Sequence, residues 1–118
     1  MLDWKQYRDE IAARLRDIRV SKPDIIKGYA ELHHATSNSV HLDAKARELI
    51  ALAVAVTLRC DGCINAHSEA AVKAGASKDE VVEALSVAIM VNAGAAMVYS
   101  ARTIDALDAY SKPAGVSA

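Results

Sequence analysis

Apolar residues recur at three- and four-residue spacing through much of the chain, which is the pattern of amphipathic α-helices. In the first such stretch, the residues that share one face are Trp4, Tyr7, Ile11, Leu15 and Ile18. Asp3 stands before this stretch at the position of an N-cap. Ser21-Lys22-Pro23 ends it, because a proline cannot continue a helix that is already formed. The pattern predicts a surface helix of about four turns.

Two further helices are predicted before the cysteines. Pro23 suits the first turn of a second helix, which should run to about Ala35. A polar loop over residues 36–42 follows, and Asp43 is placed to cap a third helix from Ala44 to about Arg59. After Glu48 this helix is apolar nearly all round, so we expect it to be central and buried.

The second half of the chain contains the clearest local signals. Asp61-Gly62 should interrupt or bend the chain, and a fourth helix should run from Gly62 or Cys63 to Gly75, a suitable C′ residue. Ser77-Lys78-Asp79-Glu80 is a capping box that opens a fifth helix to about Met90. Asn92-Ala93-Gly94 should kink or break that helix.

A last helix should follow from about Ala95 to Ala109, and the tail after it should fray. Sustained strand alternation bounded by hairpin turns is missing from the sequence. The prediction is therefore an all-α fold, a compact bundle of about six helices, with residues 1–118 as a single domain.

Composition adds an expectation about assembly. Hydrophobic residues make up 53% of the chain, but aromatic residues only 4%, with no Phe. Small apolar side chains bury little area each, so a monomer of 118 residues would have a marginal core. Together with the small residues of Asn92–Met97, this predicts a homo-oligomer.

Charge and hydropathy restrict the partners. The net charge of −1 gives no indication of a nucleic-acid or anionic-membrane partner. The longest apolar candidates, Leu49–Leu58 and Val81–Val91, are too short or too polar for a clear membrane span. The charged N-terminus does not resemble a signal peptide. We therefore expect a cytoplasmic protein, where a cysteine pair is more often redox-active or metal-binding than structural.

The chemistry is concentrated in Cys60-x-x-Cys63, a pair whose spacing allows a disulfide at the start of a helix. The helix dipole and free N–H groups there favour thiolate. Two simpler interpretations compete. The cysteines could be ordinary buried residues, or they could form half of a zinc site, with His67 as a third ligand and Glu48 or a second subunit as the fourth.

His67 lies one helical turn after Cys63, so the two side chains share a face. Glu48 lies about 120° around a straight helix from Cys60 and cannot face it unless the chain bends. If the bend at Asp61-Gly62 folds the fourth helix back, Glu48 could meet His67 and raise its basicity. Otherwise Glu48 would be solvated and paired with Lys45. No role is assigned to His33, His34 or His41.

The pattern Glu48-x11-Cys60-x2-Cys63-x3-His67 resembles the alkylhydroperoxidase D-like proteins of the carboxymuconolactone decarboxylase-like superfamily. The similarity includes the residues before Glu48 and along the third helix, Asn65-Ala66-His67, and Ala74-Gly75-Ala76. The chain differs in having Gly62 where the best-studied members carry a His between the cysteines, and in a shorter N-terminus.

The resemblance implies an all-helical fold assembled as trimers or hexamers. It also implies reduction of organic hydroperoxides through a reversible Cys60–Cys63 disulfide, with an external dithiol such as a lipoyl protein or thioredoxin and no further cofactor or metal. Glu48 and His67 would form the proton relay. Cys63 would be the activated thiol and Cys60 its disulfide partner.

The order of the two sulfurs has arguments on both sides. In many Cys-x-x-Cys motifs the first cysteine is the exposed thiol of low pKa, which favours Cys60. Peroxide cleavage also needs a proton for the leaving oxygen, and only Cys63 has His67 one turn away, which favours Cys63 as the attacking thiol. Two other functions stay open: a decarboxylase- or isomerase-like enzyme on a small carboxylic acid, and a redox-sensing module without turnover.

Overall fold

Within residues 1–111 and 113, which the computed structural model describes, the chain forms five α-helices and no strand. The helices are α1 (Trp4–Ser21), α2 (Pro23–Ser37), α3 (Ala44–Leu58), α4 (Asp61–Lys73) and α5 (Lys78–Ser111). The all-α prediction is confirmed, although the number of helices is five rather than six. The predicted fraying of the C-terminal tail falls outside the described residues.

The local capping signals operate as the sequence predicts. Asp3 accepts the N–H of Gln6 at 3.0 Å, and Asp43 accepts the N–H of Ala46 at 2.8 Å. At the start of α5, the Ser77 hydroxyl accepts the N–H of Glu80 at 3.1 Å, while Glu80 accepts the N–H of Ser77 at 3.2 Å. These bonds satisfy N–H groups that have no partner within the helix, and they fix where three helices begin.

The predicted break at Asn92–Gly94 is wrong, because α5 continues through it as one helix of 34 residues. The amide of Asn92 donates to the Ala88 carbonyl at 2.7 Å and to the Thr57 hydroxyl at 2.9 Å. The polar side chain of Asn92 therefore has hydrogen-bond partners while its backbone stays helical. A single glycine in a helix costs only about 1 kcal/mol, which is too little to end a helix by itself.

The packing is centred on α3, which contacts both α4 and α5, while α1 contacts α2 and α4. Among the described residues, the buried hydrophobic side chains are Leu52, Ala55, Ala71 and Ala88. The prediction of a fully buried α3 is wrong for the single chain, since Ile50 and Val54 are each 51% exposed. One side of α3 is covered by α4 and α5, and the other side is open.

The chain is elongated, with a radius of gyration of 20.6 Å and a longest dimension of 61 Å. A globular protein of this length would have a radius of gyration of about 13 Å. Every residue from 95 to 111 in α5 is exposed. By length and composition alone, α5 is a candidate membrane span, although core helices of soluble proteins meet the same criterion. The lack of a membrane partner therefore stays a prediction.

Candidate active site

A tight turn of two residues connects α3 to α4 and places the cysteines. Arg59 adopts the left-handed conformation with φ 53°, and its N–H donates to the Val56 carbonyl at 3.2 Å. The N–H of Cys60 donates to the Ala55 carbonyl at 3.1 Å. This pair of bonds is the Schellman arrangement that ends many helices. The bend therefore lies at Arg59, and Asp61 and Gly62 already belong to α4.

Cys60 caps α4 with its sulfur. Its backbone is extended, and its Sγ accepts the N–H of Cys63 at 3.2 Å. The two cysteines form a disulfide with a Cα–Cα separation of 5.2 Å, which is within the usual range for such bonds. Both residues are partly exposed. The disulfide therefore belongs to two partly exposed residues at the positive end of a helix dipole.

The reversal of the chain brings Glu48 of α3 against His67 of α4. Nδ1 of His67 lies 2.7 Å from Oε2 of Glu48, and the two side chains are 26% and 21% exposed. The alternative pairing of Glu48 with Lys45 is absent, because the Lys45 ammonium lies 2.8 Å from the Glu80 carboxylate. That hydrogen bond raises the pKa of Lys45 and lowers the pKa of Glu80.

The contact determines which nitrogen of His67 is available for chemistry. An ionised carboxylate can only accept hydrogen bonds, so Nδ1 of His67 carries the proton and donates it to Glu48. In the neutral imidazole, Nε2 then has the free lone pair. Cys63 lies one turn earlier on the same face of α4. The arrangement can accept a thiol proton and return it to a leaving group.

A cleft of about 510 Å³ opens beside this pair, between α2, the loop that follows it and α3. The carboxylate–imidazole pair of Glu48 and His67 forms part of its lining. The remaining lining residues are Tyr29, Leu32, His33, Thr36, Ser37, Ser39, Leu42, Arg47, Ile50 and Ala51. No local sequence motif marks this cleft or assigns Arg47 and His33 to it. Only tertiary packing brings its lining residues together.

The zinc interpretation required Cys60, Cys63 and His67 to converge on one ion, with Glu48 or a second subunit as the fourth ligand. In this structure the sulfurs are bonded to each other, and the imidazole is bonded to the carboxylate. In the described part of the chain, no group of three or more His, Cys, Asp and Glu side chains could hold a metal ion. The absence of a metal stays a prediction.

The sequence model described as the carboxymuconolactone decarboxylase family matches residues 23–106, which include α2, α3, α4 and most of α5. The chain belongs to this family. The superfamily predicted from the Glu48, Cys60, Cys63 and His67 pattern is therefore confirmed. Family membership and the disulfide together fit a redox role of the alkylhydroperoxidase D type.

Known relatives and structures agree with this assignment. An uncharacterized protein of Haemophilus influenzae is 50% identical over 109 residues, covering 92% of this chain and 94% of that protein. The apo crystal structure of a carboxymuconolactone decarboxylase family protein from Legionella pneumophila has a TM-score of 0.71 and 33% identity, covering 92% of this chain and 97% of that one. The crystal structure of a protein from Methanobacterium thermoautotrophicum has a TM-score of 0.65 and 30% identity, covering 70% of this chain and 93% of that one.

Proposed function

We propose that the protein is a thiol-dependent peroxidase that reduces organic hydroperoxides through Cys60 and Cys63. The observation that carries this proposal is the 2.7 Å contact between His67 and Glu48, made by the same helix that begins with the disulfide. A redox-active thiol pair needs a base for the thiol and an acid for the leaving oxygen. A carboxylate-bound imidazole one turn from Cys63 supplies both.

In the first half-reaction, Nε2 of His67 takes the proton of the Cys63 thiol. The thiolate attacks the terminal oxygen of the hydroperoxide and the O–O bond breaks. Two electrons pass from sulfur to the peroxide, so Cys63 becomes a sulfenic acid. The imidazolium gives its proton to the departing alkoxide, which leaves as an alcohol. Glu48 stabilises the imidazolium while it exists.

In the second half-reaction, the sulfur of Cys60 attacks the sulfenic sulfur of Cys63. The disulfide forms, and the hydroxyl group of the sulfenic acid leaves as water with the proton of Cys60. An external dithiol then attacks Cys60, closes its own disulfide and returns two electrons and two protons. Cys60 and Cys63 are both partly exposed, so exposure does not distinguish them. The role of Cys60 as the sulfur that meets the reductant follows from the pairing of Cys63 with His67, one turn later on α4.

We further propose that the enzyme is a cytoplasmic homo-oligomer, a trimer or hexamer. The exposure of α5 from residue 95 onward and the elongated shape of the chain support this proposal. Apolar side chains that a single chain leaves exposed are usually covered by a partner. The partner expected here is another copy, since the same face is present on every chain.

A decarboxylase- or isomerase-like reaction on a small carboxylic acid is the second candidate. The observation that favours it is that Glu48 and His67 line the cleft, whereas Cys60 and Cys63 are outside its lining within the described residues. His67 would then act as a general base without any thiol. Replacement of either cysteine should abolish peroxide turnover but leave such a reaction intact.

The proposal is tested with Cys60→Ser and Cys63→Ser proteins, each given one equivalent of hydroperoxide and a sulfenic-acid trap. We expect prompt trapping in Cys60→Ser and little in Cys63→Ser. Steady-state turnover, with dihydrolipoamide, thioredoxin or glutathione supplied in turn, should be absent from both variants. Prompt trapping at Cys60 in Cys63→Ser would reverse the order of the sulfurs, and trapping in neither protein would exclude peroxidase activity.

A further inference from the structure

The cleft beside Glu48 and His67 has a mainly apolar wall. Tyr29 and Leu32 from α2 and Ile50 from α3 line it, although they are 66%, 66% and 51% exposed. A volume of about 510 Å³ is in the usual range for a site that holds a small organic molecule. This wall suits the hydrocarbon body of a substrate whose reacting group lies at His67.

The serine and threonine hydroxyl groups along the cleft have their protons engaged by the backbone. Thr36 donates to the His33 carbonyl at 2.7 Å, Ser37 to the His34 carbonyl at 2.7 Å, and Ser39 to the Thr36 carbonyl at 2.8 Å. These bonds complete the last turn of α2 and the start of the loop. Besides the Tyr29 hydroxyl and the His33 ring, this wall therefore offers a ligand few free donors, and a fixed positive charge must come from another group.

Arg47 is that group. It is partly buried, and its Nη1 donates to the Leu42 carbonyl at 2.8 Å, which holds the guanidinium at the cleft wall. A carbonyl carries no net charge, and none of the ion pairs among the described residues includes Arg47. The neighbouring carboxylate of Glu48 is bonded to His67. The positive charge of Arg47 and its remaining N–H groups are available to an anion.

We propose that this cleft binds the organic part of the substrate and that Arg47 pairs with a carboxylate on it. The substrate class is then a hydroperoxide with a hydrocarbon body and a carboxylate group. A guanidinium binds a carboxylate with two parallel N–H donors, which gives both affinity and orientation. This inference rests on the proposed peroxidase function and adds the substrate class.

The experiment compares two hydroperoxides of equal length, one neutral and one ending in a carboxylate. In Arg47→Gln, we expect kcat/KM for the carboxylate substrate to fall about tenfold through KM, because one charge-assisted pair is lost. The neutral substrate should lose much less, so the ratio of kcat/KM for the two substrates should change about tenfold. Arg47→Lys should restore part of the loss. The matched control is Arg14→Gln, which removes a positive charge from α1 at a side chain that is 80% exposed.

A second variant and a binding measurement keep the test decisive. Leu32→Trp should narrow the cleft at its apolar wall and raise KM for both substrates. Calorimetry with the corresponding carboxylic acid without a peroxide group should show about tenfold weaker binding to Arg47→Gln. Equal discrimination in wild type and Arg47→Gln, with peroxide turnover intact, would overturn the inference alone. If Arg47→Gln loses acid binding but the wild type shows no peroxide turnover, the cleft assignment would be supported and the peroxidase function refuted.

Discussion

Two regions of the molecule differ in how much of their surface a single chain buries. One is the contact between α3 and α4, and the other is the C-terminal half of α5. Between α3 and α4 the chain buries Leu52, Ala55 and Ala71 and forms the contact of Glu48 with His67. From residue 95 to 111, α5 has no buried or partly buried residue, although it is equally helical and rich in apolar side chains.

This difference distinguishes the helix packing that occurs within one chain from the packing that we propose between copies. The turn at Arg59 forces α4 back along α3, so the site residues meet within about twenty residues of sequence. Within residues 1–111 and 113, no comparable turn returns the end of α5 to the other helices. We therefore expect the chemistry to depend on the packing of α3 and α4, and the stability to depend strongly on partners along α5.

The largest expected effect is on the rate. Glu48→Gln and His67→Asn should each lower kcat/KM for hydroperoxide by roughly 10²- to 10⁴-fold, which is typical for the loss of a general acid–base group. Lys45→Gln is the matched control, since Lys45 lies one turn before Glu48 but pairs with Glu80. Peroxidase assays at saturating reductant measure the effect. An equal loss in Lys45→Gln would contradict the role given to the Glu48–His67 pair.

The next effect is on assembly. Met97 is 73% exposed on α5, and Met97→Glu should place a charge in the interface that we propose between copies. Sedimentation without detergent should show a homo-oligomer for the wild type and a lighter species for Met97→Glu. The matched control is Thr103→Glu, which adds the same charge to the same helix at an exposed polar position. A wild-type monomer, or recovery only in membranes, would refute an interface between soluble copies.

The smallest effect is on the pH dependence of stability. The hydrogen bond from Lys45 and the N–H of Ser77 lower the pKa of Glu80 below its usual 4.5. This contribution to stability is present above pH 4.5 and is lost as the pH falls through the lower pKa of the folded state. Glu80→Gln can keep the capping box but not the charge.

The melting temperature of Glu80→Gln should therefore be lower than that of the wild type near neutral pH, and the two should converge in acid. When Glu80→Gln is introduced into the Lys45→Gln protein, most of the pH-dependent part of its effect on the melting temperature should disappear. A constant difference from neutral to strongly acidic pH would show that the ion pair contributes nothing.

The sequence by itself determined the helical class, the helix starts that local caps set, and the chemical groups. The side chains of Asp3, Asp43 and the Ser77–Glu80 capping box act within three residues, so local spacing was enough to locate those helix starts. The spacing of Cys60 and Cys63 allowed a disulfide at the start of a helix, and the family resemblance favoured it over the other interpretations. Interactions of this kind depend on a few backbone dihedral angles that neighbouring residues set.

Only the tertiary structure decided which groups meet. Glu48 had two possible partners, and the left-handed turn at Arg59 selected His67 over Lys45. The continuity of α5 through Asn92 depended on a hydrogen bond to Thr57 of another helix. The placement of Arg47 in the cleft depended on the path of α2 beside α3. These outcomes arise from contacts between residues far apart in sequence, and the spacing within one helix carries no information about them.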